Sequence, residues 1–82
     1  MKQKYKYLKL LDKALLRLIL DNAELEENEH NLLISFLVKE DLLEKTCREM
    51  AISNSTYRNI QDRALAKAHL TFCFVIRHAL KN

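Results

Sequence analysis

The sequence predicts an all-α fold, a compact domain of four to five helices that contains a tri-helical helix-turn-helix. The 82 residues include no glycine and no proline, although average usage is roughly 7% and 5%. Hairpins and sheets favour glycine in their turns, so its absence favours helices joined by short polar turns. Hydrophobic residues make up 49% of the chain, enough for one core. The length fits a single domain over residues 1–82.

A lysine-rich segment opens the chain and predicts a basic N-terminal helix over about residues 5–20. Its basic side chains recur every three or four positions, which places them in one row on a helix. The members of this N-terminal basic row are Lys2, Lys6, Lys9, Lys13 and Arg17. The opposite face is expected to join the core through Leu8, Leu11, Leu15, Leu18 and Ile19. The row either follows an anionic partner such as a phosphate backbone or is a solvated helix face.

The middle of the chain is acidic. Residues 21–49 carry three basic and nine acidic side chains, whereas residues 1–20 carry six and one and residues 50–82 carry five and one. This basic–acidic–basic layout offers one face to an anion and another to a basic partner, or is ordinary surface charge. Asp21 and Asn22 are expected to end the first helix. The acidic residues 24–29 then begin a second helix that runs to about Val38.

A third helix is predicted over about residues 42–50, with Leu43, Cys47 and Met50 facing inward. A tight turn follows, and Ser53 is a good N-cap for the fourth helix because its hydroxyl can accept from a free backbone amide. The fourth helix runs from Asn54 to at least residue 68. Its inward side chains are Tyr57, Ile60, Ala64 and Leu65.

The last segment predicts an apolar C-terminal helix over about residues 69–80, which either continues the fourth helix or breaks from it near His69. Residues 72–76 have strand-like composition, but a single strand would lack a partner. This apolar cluster either closes the core over the first helix or forms a homodimer contact. A homodimer would suit a regulator that binds a two-fold DNA site.

The spacing of small and apolar residues indicates a helix-turn-helix over about residues 43–65. Small side chains stand where two helices must approach closely, and apolar ones recur three apart on the second helix. The core of this motif is Cys47, Ala51, Ile52, Ser53, Tyr57 and Ile60. Exposed residues between them would face outward together, the arrangement that lets a helix enter the major groove.

The outward residues have the chemistry of DNA recognition. Arg58 can donate two hydrogen bonds to guanine, and Asn54 or Asn59 can pair with adenine. Ser55 and Thr56 can meet phosphate oxygens near the helix N-terminus. Arg63 and Lys67 lie one and two turns further along, where we expect them near the DNA backbone.

Residues 25–65 resemble region four of bacterial sigma factors, the part that reads the −35 promoter element. The resemblance runs without a gap through Leu25, the apolar Leu32-Leu33-Ile34, the motif start Lys45-Thr46-Cys47, the turn Ala51-Ile52-Ser53 and the recognition helix with its exit, Tyr57 to Leu65. It covers about half the chain and includes no region-two-like segment. We therefore expect a short phage-type regulator, similar to the autolysin-regulator and late-gene activator families, rather than a complete sigma factor.

The sequence differs from the family pattern in three ways. Ala51 stands where the family usually has glycine, so its backbone must accept strain. The recognition face has a single arginine, and Asp62 adds a negative charge near the phosphates. The first hypothesis is a DNA-binding transcription regulator whose partner is double-stranded DNA. The alternative is a protein-interaction module that binds or mimics a sigma factor or RNA polymerase, which the N-terminal basic row or the acidic residues 21–29 would contact.

Other classes of function have little support in the residues. His69 and Cys73 are four apart, but with Cys47 and His78 they do not form the paired spacing of zinc sites, so we expect no metal and no cofactor. Cys73 with His69 is the one conceivable catalytic pair, and its apolar setting does not favour a reactive thiolate, so we expect no enzyme. The longest apolar run, residues 72–76, is too short for a membrane span. Two cysteines without a disulfide pattern favour the cytoplasm.

Overall fold

The computed structural model describes residues 1–80, and every regular element among them is helical. A 3-10 helix covers Gln3–Leu10, and the α-helices are α1 (Lys13–Asn22), α2 (Glu27–Leu33), α3 (Leu43–Met50) and α4 (Asn54–Leu80). A π-helical turn, Ile34–Val38, continues α2. No strand occurs within residues 1–80. The all-α prediction is confirmed.

The N-terminal basic helix was predicted as one element, and that prediction is wrong. The chain is extended at Leu11 and Asp12, between the 3-10 helix and α1. The Asp12 carboxylate accepts hydrogen bonds from the amides of Ala14, at 3.0 Å, and Leu15, at 3.4 Å. An aspartate N-cap of this kind begins a new helix, so α1 starts in its own register.

The break also changes which side chains reach the core. Leu18 was predicted to face inward, but it is 53% exposed. Because α1 begins afresh after Asp12, its inner face is set by a stripe spaced as i, i+3 and i+4. That stripe is Leu16, Ile19 and Leu20, all buried. Leu8 and Ile19 were predicted correctly, while Leu11 and Leu15 are half-buried.

The 3-10 helix follows a different period. Side chains three apart eclipse one another in this geometry, and Tyr5, Leu8 and Leu11 are spaced in that way. Tyr5 and Leu8 are buried against the core, and Leu11 packs at its edge. The 3-10 helix therefore buries one narrow stripe and exposes the lysines between its members.

The second helix, counted with its π-helical turn, ends at Val38, as predicted, and α2 begins with a capping box. The Glu29 carboxylate accepts from the amide of Glu26 at 2.9 Å, while the Glu26 side chain accepts from the backbone at Glu29. Each side chain satisfies an amide that the first turn leaves free. The acidic entry thus caps α2, the role expected of it. Leu32, Leu33 and Leu37 bury the inner face of α2 and its π-helical turn.

The fourth helix is continuous over 27 residues. Of the two alternatives for residues 69–80, the structure has the continuation of α4 and no break near His69. A helix of this length spans about 40 Å at 1.5 Å per residue, and it accounts for the longest dimension of the molecule, 44 Å. Over residues 1–80, no helix is both long and apolar enough to cross a bilayer.

Candidate nucleic-acid interface

The turn between α3 and α4 lies where the helix-turn-helix pattern predicted it. Ala51 adopts the left-handed conformation, with φ 56° and ψ 48°. The amide of Ala51 donates to the Arg48 carbonyl at 3.3 Å, and the amide of Ile52 donates to the Cys47 carbonyl at 3.0 Å. These two bonds satisfy the carbonyls that the end of α3 would leave free. The strain expected at Ala51 is therefore present, since alanine disfavours positive φ.

Ser53 caps α4, as predicted. Its hydroxyl accepts from the amide of Thr56 at 3.1 Å and donates to the Thr56 hydroxyl at 3.0 Å. The buried Cys47 thiol donates to the Ser53 carbonyl at 3.8 Å, which joins α3 to the cap. The cap and the thiol together set the direction in which α4 leaves the turn.

The inner face of α4 packs as the motif requires. Tyr57 is 2% exposed and Ile60 is 4% exposed, and both belong to the core. Burial, and to a smaller extent the neighbouring Cys47 thiol, raises the pKa of Tyr57 above its ordinary value of 10.0. Ala64 and Leu65 are fully buried one turn further along. The start of α4 is therefore held rigidly against α3 and the core.

The side chains predicted to read DNA share the exposed surface at the start of α4. They are Asn54, Ser55, Thr56, Arg58 and Asn59, and each is exposed. We call these five residues the reading face. The first turn also presents free backbone amides and the positive end of the helix dipole, both favourable for an anion. Amide, hydroxyl and guanidinium donors thus project from one rigid helix start.

Arg63 and Lys67 lie further along α4 and have a protein partner. Lys67 Nζ donates to Glu29 Oε1 at 2.7 Å, and Arg63 Nε lies 3.8 Å from Glu29 Oε2. Burial raises the pKa of Glu29, which is 1% exposed, but the Lys67 hydrogen bond, the Glu26 amide and the two positive charges outweigh it. The pKa of Glu29 therefore falls below its ordinary value of 4.5. Part of the positive charge on α4 balances this carboxylate.

The amino-terminal segment comes close to the reading face, which the sequence did not predict. A groove of about 450 Å³ has Met1, Lys9 and Arg58 in its walls. Lys9 Nζ lies 5.0 Å from the centre of the Phe36 ring, and this cation–π contact keeps it beside the groove. A shallower neighbouring hollow adds Lys6 to the same side. Basic residues that are far apart in the sequence, Lys6 and Lys9 on one side and Arg58 on the other, therefore line neighbouring parts of one surface.

Two carboxylates also line this surface, but each has a basic partner. Glu40 lies 3.4 Å from Lys13, and Asp41 lies 3.4 Å from Lys45. Lys13 also donates to the Leu37 carbonyl at 2.8 Å. The N-terminal basic row predicted for a single helix is therefore not one surface, because after the break at Asp12 the Lys13 side chain contacts the π-helical turn and Glu40.

A second polar cluster joins the 3-10 helix to α4. The Tyr7 hydroxyl and His69 Nδ1 are 2.6 Å apart, and Cys73 Sγ lies 3.7 Å from His69 Nε2. Burial, then the neighbouring Cys73 and Tyr5, raises the pKa of Tyr7 to about 12. The phenol therefore stays protonated, and the tautomer of the His69 ring sets which of the two groups donates. The contact fixes the 3-10 helix on α4.

The residues considered as metal ligands do not come together in one site. Cys47 is buried against the Ser53 carbonyl, and His78 packs on Phe74 with ring centres 4.1 Å apart. No group of three or more potential ligands occurs among residues 1–80.

No protein-family model, no curated protein and no solved structure matches this chain.

Proposed function

We propose that this protein binds double-stranded DNA as a transcription regulator and reads the major groove with the first two turns of α4. The observation that carries the proposal is the reading face: five exposed polar side chains at a helix start whose cap is complete and whose opposite side is buried. A rigid helix with such a face has the form used by helix-turn-helix proteins to contact base edges.

The roles within the reading face follow from side-chain chemistry. Arg58 donates two hydrogen bonds to a guanine, while Asn54 and Asn59 pair with adenine. Ser55 and Thr56, next to the free amides of the first turn, contact a phosphate. The Thr56 hydroxyl already accepts from Ser53, but its proton remains free to be donated to the anion.

Phosphate contacts come from the basic surface beside the groove. Lys6 and Lys9 follow the DNA backbone while Arg58 enters the major groove. Lys67 contributes less than its position in the sequence implied, because its ammonium group is bound to Glu29. The Arg63 side chain is 60% exposed, and its Nε lies 3.8 Å from that carboxylate, which is too far for a hydrogen bond. Its guanidinium can therefore still face a phosphate.

The resemblance of residues 25–65 to sigma region four supports the same proposal. The elements it requires, an apolar helix, a short helix, a turn and a recognition helix, correspond to α2, α3, Ala51 and the start of α4. We infer a transcription regulator that reads DNA with a sigma-like helix-turn-helix, of the kind found in phage-type regulators.

The test is fluorescence anisotropy with a random-sequence duplex pool at two salt concentrations, followed by sequencing of the bound fraction. We expect salt-sensitive binding and an enriched motif. Arg58→Ala should then lower affinity for the enriched site by about 1–3 kcal/mol and relax one base position. Arg17→Ala, which removes an equal charge from the exposed surface of α1, is the matched control and should retain the motif.

Absence of binding at the lower salt concentration would overturn the DNA proposal. The alternative is that the partner is a sigma factor or RNA polymerase. Its support is the exposed acidic group Glu24, Glu26 and Glu27, which forms no ion pair with any other of the residues 1–80. A pull-down with polymerase and sigma subunits, in which charge reversal of these three residues abolishes capture, would then decide.

A further inference from the structure

The far end of α4 carries an apolar surface that the protein does not cover. Leu70 is 69% exposed and Phe74 is 62% exposed. They are four residues apart, so they lie one above the other on the same side of the helix. We call this pair the C-terminal apolar face. Together with Thr71 and Val75 it lines a groove of about 430 Å³, and Asn22 and Glu24 stand on the opposite wall.

The neighbouring side of α4 is covered by the 3-10 helix, in contrast to the exposed Leu70 and Phe74. Phe72 packs against Tyr7 with ring centres 5.0 Å apart, and His69 packs against Tyr5 at 5.5 Å. The 3-10 helix thus closes the core on that side. Of the two sequence-based alternatives for residues 72–76, core closure accounts for Phe72, whereas Phe74 remains open to water.

We propose that the C-terminal apolar face binds a second copy of this chain, with the two α4 helices antiparallel and a two-fold axis near Phe74. A two-fold interface is self-complementary, so the same exposed apolar pair contributes from each copy. In this register Phe74 meets Phe74 of the second copy. Leu70 packs against the last turns of the second α4, near His78.

Charge complementarity favours a second copy over an unrelated apolar partner. The last turns of α4 carry the basic residues Arg77 and His78. The groove is lined by Glu24 and Lys67, but the Lys67 ammonium is bound to Glu29, so the charge left to meet a basic partner is the Glu24 carboxylate. With the axis at Phe74, Arg77 of the second copy lies opposite Thr71. Thr71 and Glu24 line the same groove, so the guanidinium of one copy approaches the carboxylate of the other at both ends of the interface.

The arrangement leaves the reading face uncovered. Asn59 precedes Phe74 by fifteen residues, which is about 22 Å along an α-helix, and the other reading residues are farther away. Two reading faces would therefore lie on opposite ends of one rigid unit. The pairing itself does not depend on DNA binding, so the two proposals fail independently.

The first experiment is sedimentation equilibrium of the purified chain over a range of concentrations. We expect the wild type to approach twice the 9.7 kDa mass of one chain. Phe74→Lys should return it to one chain, with the helical circular dichroism signal retained because Phe74 is outside the core. Leu42→Lys is the matched control, since Leu42 is 74% exposed elsewhere and should stay dimeric.

Charge reversal and crosslinking test the register. Arg77→Glu and Glu24→Arg should each weaken the dimer at least several-fold, and the double variant should restore it. In a Cys73→Ser background, Phe74→Cys should form a disulfide between chains on oxidation, while Leu42→Cys should not. A single-chain mass at every concentration, or a dimer that Phe74→Lys and Leu42→Lys leave equally intact, would overturn the proposal.

Discussion

At the scale of single residues, two local features give the structure measurable weaknesses. Ala51 holds a left-handed backbone without the freedom of glycine, and Glu29 is an acid buried in the core. The first could be predicted from sequence because the turn pattern requires positive φ at that residue. The second could be predicted only in part, since the capping box is local but the Lys67 contact joins residues 38 apart.

Replacing Ala51 by glycine should stabilise the protein. An L-residue in the left-handed region costs about 1–2 kcal/mol, and glycine loses part of that gain through greater freedom in the unfolded chain. We expect Ala51→Gly to raise the free energy of unfolding by about 0.5–1 kcal/mol in urea titrations. Ala66→Gly, in the right-handed middle of α4, should lower it by about 1 kcal/mol. Destabilisation by both would contradict the strain at Ala51.

The lowered pKa of Glu29 makes the free energy of unfolding depend on pH in the acid range. The folded state holds this carboxylate ionised more strongly than the unfolded state does, so it binds fewer protons and is favoured as pH rises. The contribution is complete above the ordinary pKa of 4.5 and is lost as pH falls through the lower folded value. Urea unfolding from neutral to acid pH should show this loss.

Glu29→Gln is the control for that titration. The amide keeps the shape of the side chain but leaves Lys67 without its counter-charge, so we expect a loss of about 1–3 kcal/mol at neutral pH. The variant should also have a flatter dependence of unfolding free energy on pH below 4.5. If the variant had the same pH dependence of the unfolding free energy as the wild type, other carboxylates would be the cause of the acid sensitivity.

At the scale of elements, short-range signals predicted α2, α3, the turn and the start of α4, because an apolar stripe marks each helix and a side-chain cap marks the starts of α2 and α4. The same signals were ambiguous at the amino terminus. The helix predicted over residues 5–20 runs through Asp12, although an aspartate before an apolar run is equally an N-cap. The spacing of Tyr5, Leu8 and Leu11 by three was the available indication of a 3-10 helix.

Asp12→Ala should therefore weaken the junction between the 3-10 helix and α1. It leaves the amides of Ala14 and Leu15 without their acceptor, and loss of such a cap costs about 1 kcal/mol. Thermal unfolding should show the decrease. Asp62→Ala, at an exposed position within α4, should change stability by less than about 0.5 kcal/mol. Equal effects of both would contradict a capping role for Asp12.

At the scale of the whole molecule, the reading face was predictable because its residues all lie within the first two turns of one helix. The basic surface that flanks it was not, since Lys9 and Arg58 are brought together only when the 3-10 helix folds back over α4. Hydropathy and charge periods report local faces and do not state which faces meet.

The salt dependence of DNA affinity separates the contribution of that basic surface from that of base recognition. Lys6 and Lys9 neutralise phosphates in the proposed complex, and each phosphate contact adds about 0.9 to the slope of log K against log salt. We expect Lys6→Gln with Lys9→Gln to lower affinity for all duplexes alike and reduce the slope by about 2, while the enriched motif is unchanged. Lys13→Gln, whose ammonium already faces Glu40 at 3.4 Å, should leave the slope nearly as it is. If the double variant instead altered the motif with the slope intact, the amino-terminal lysines would touch bases rather than the backbone. The 3-10 helix would then belong to the recognition surface itself.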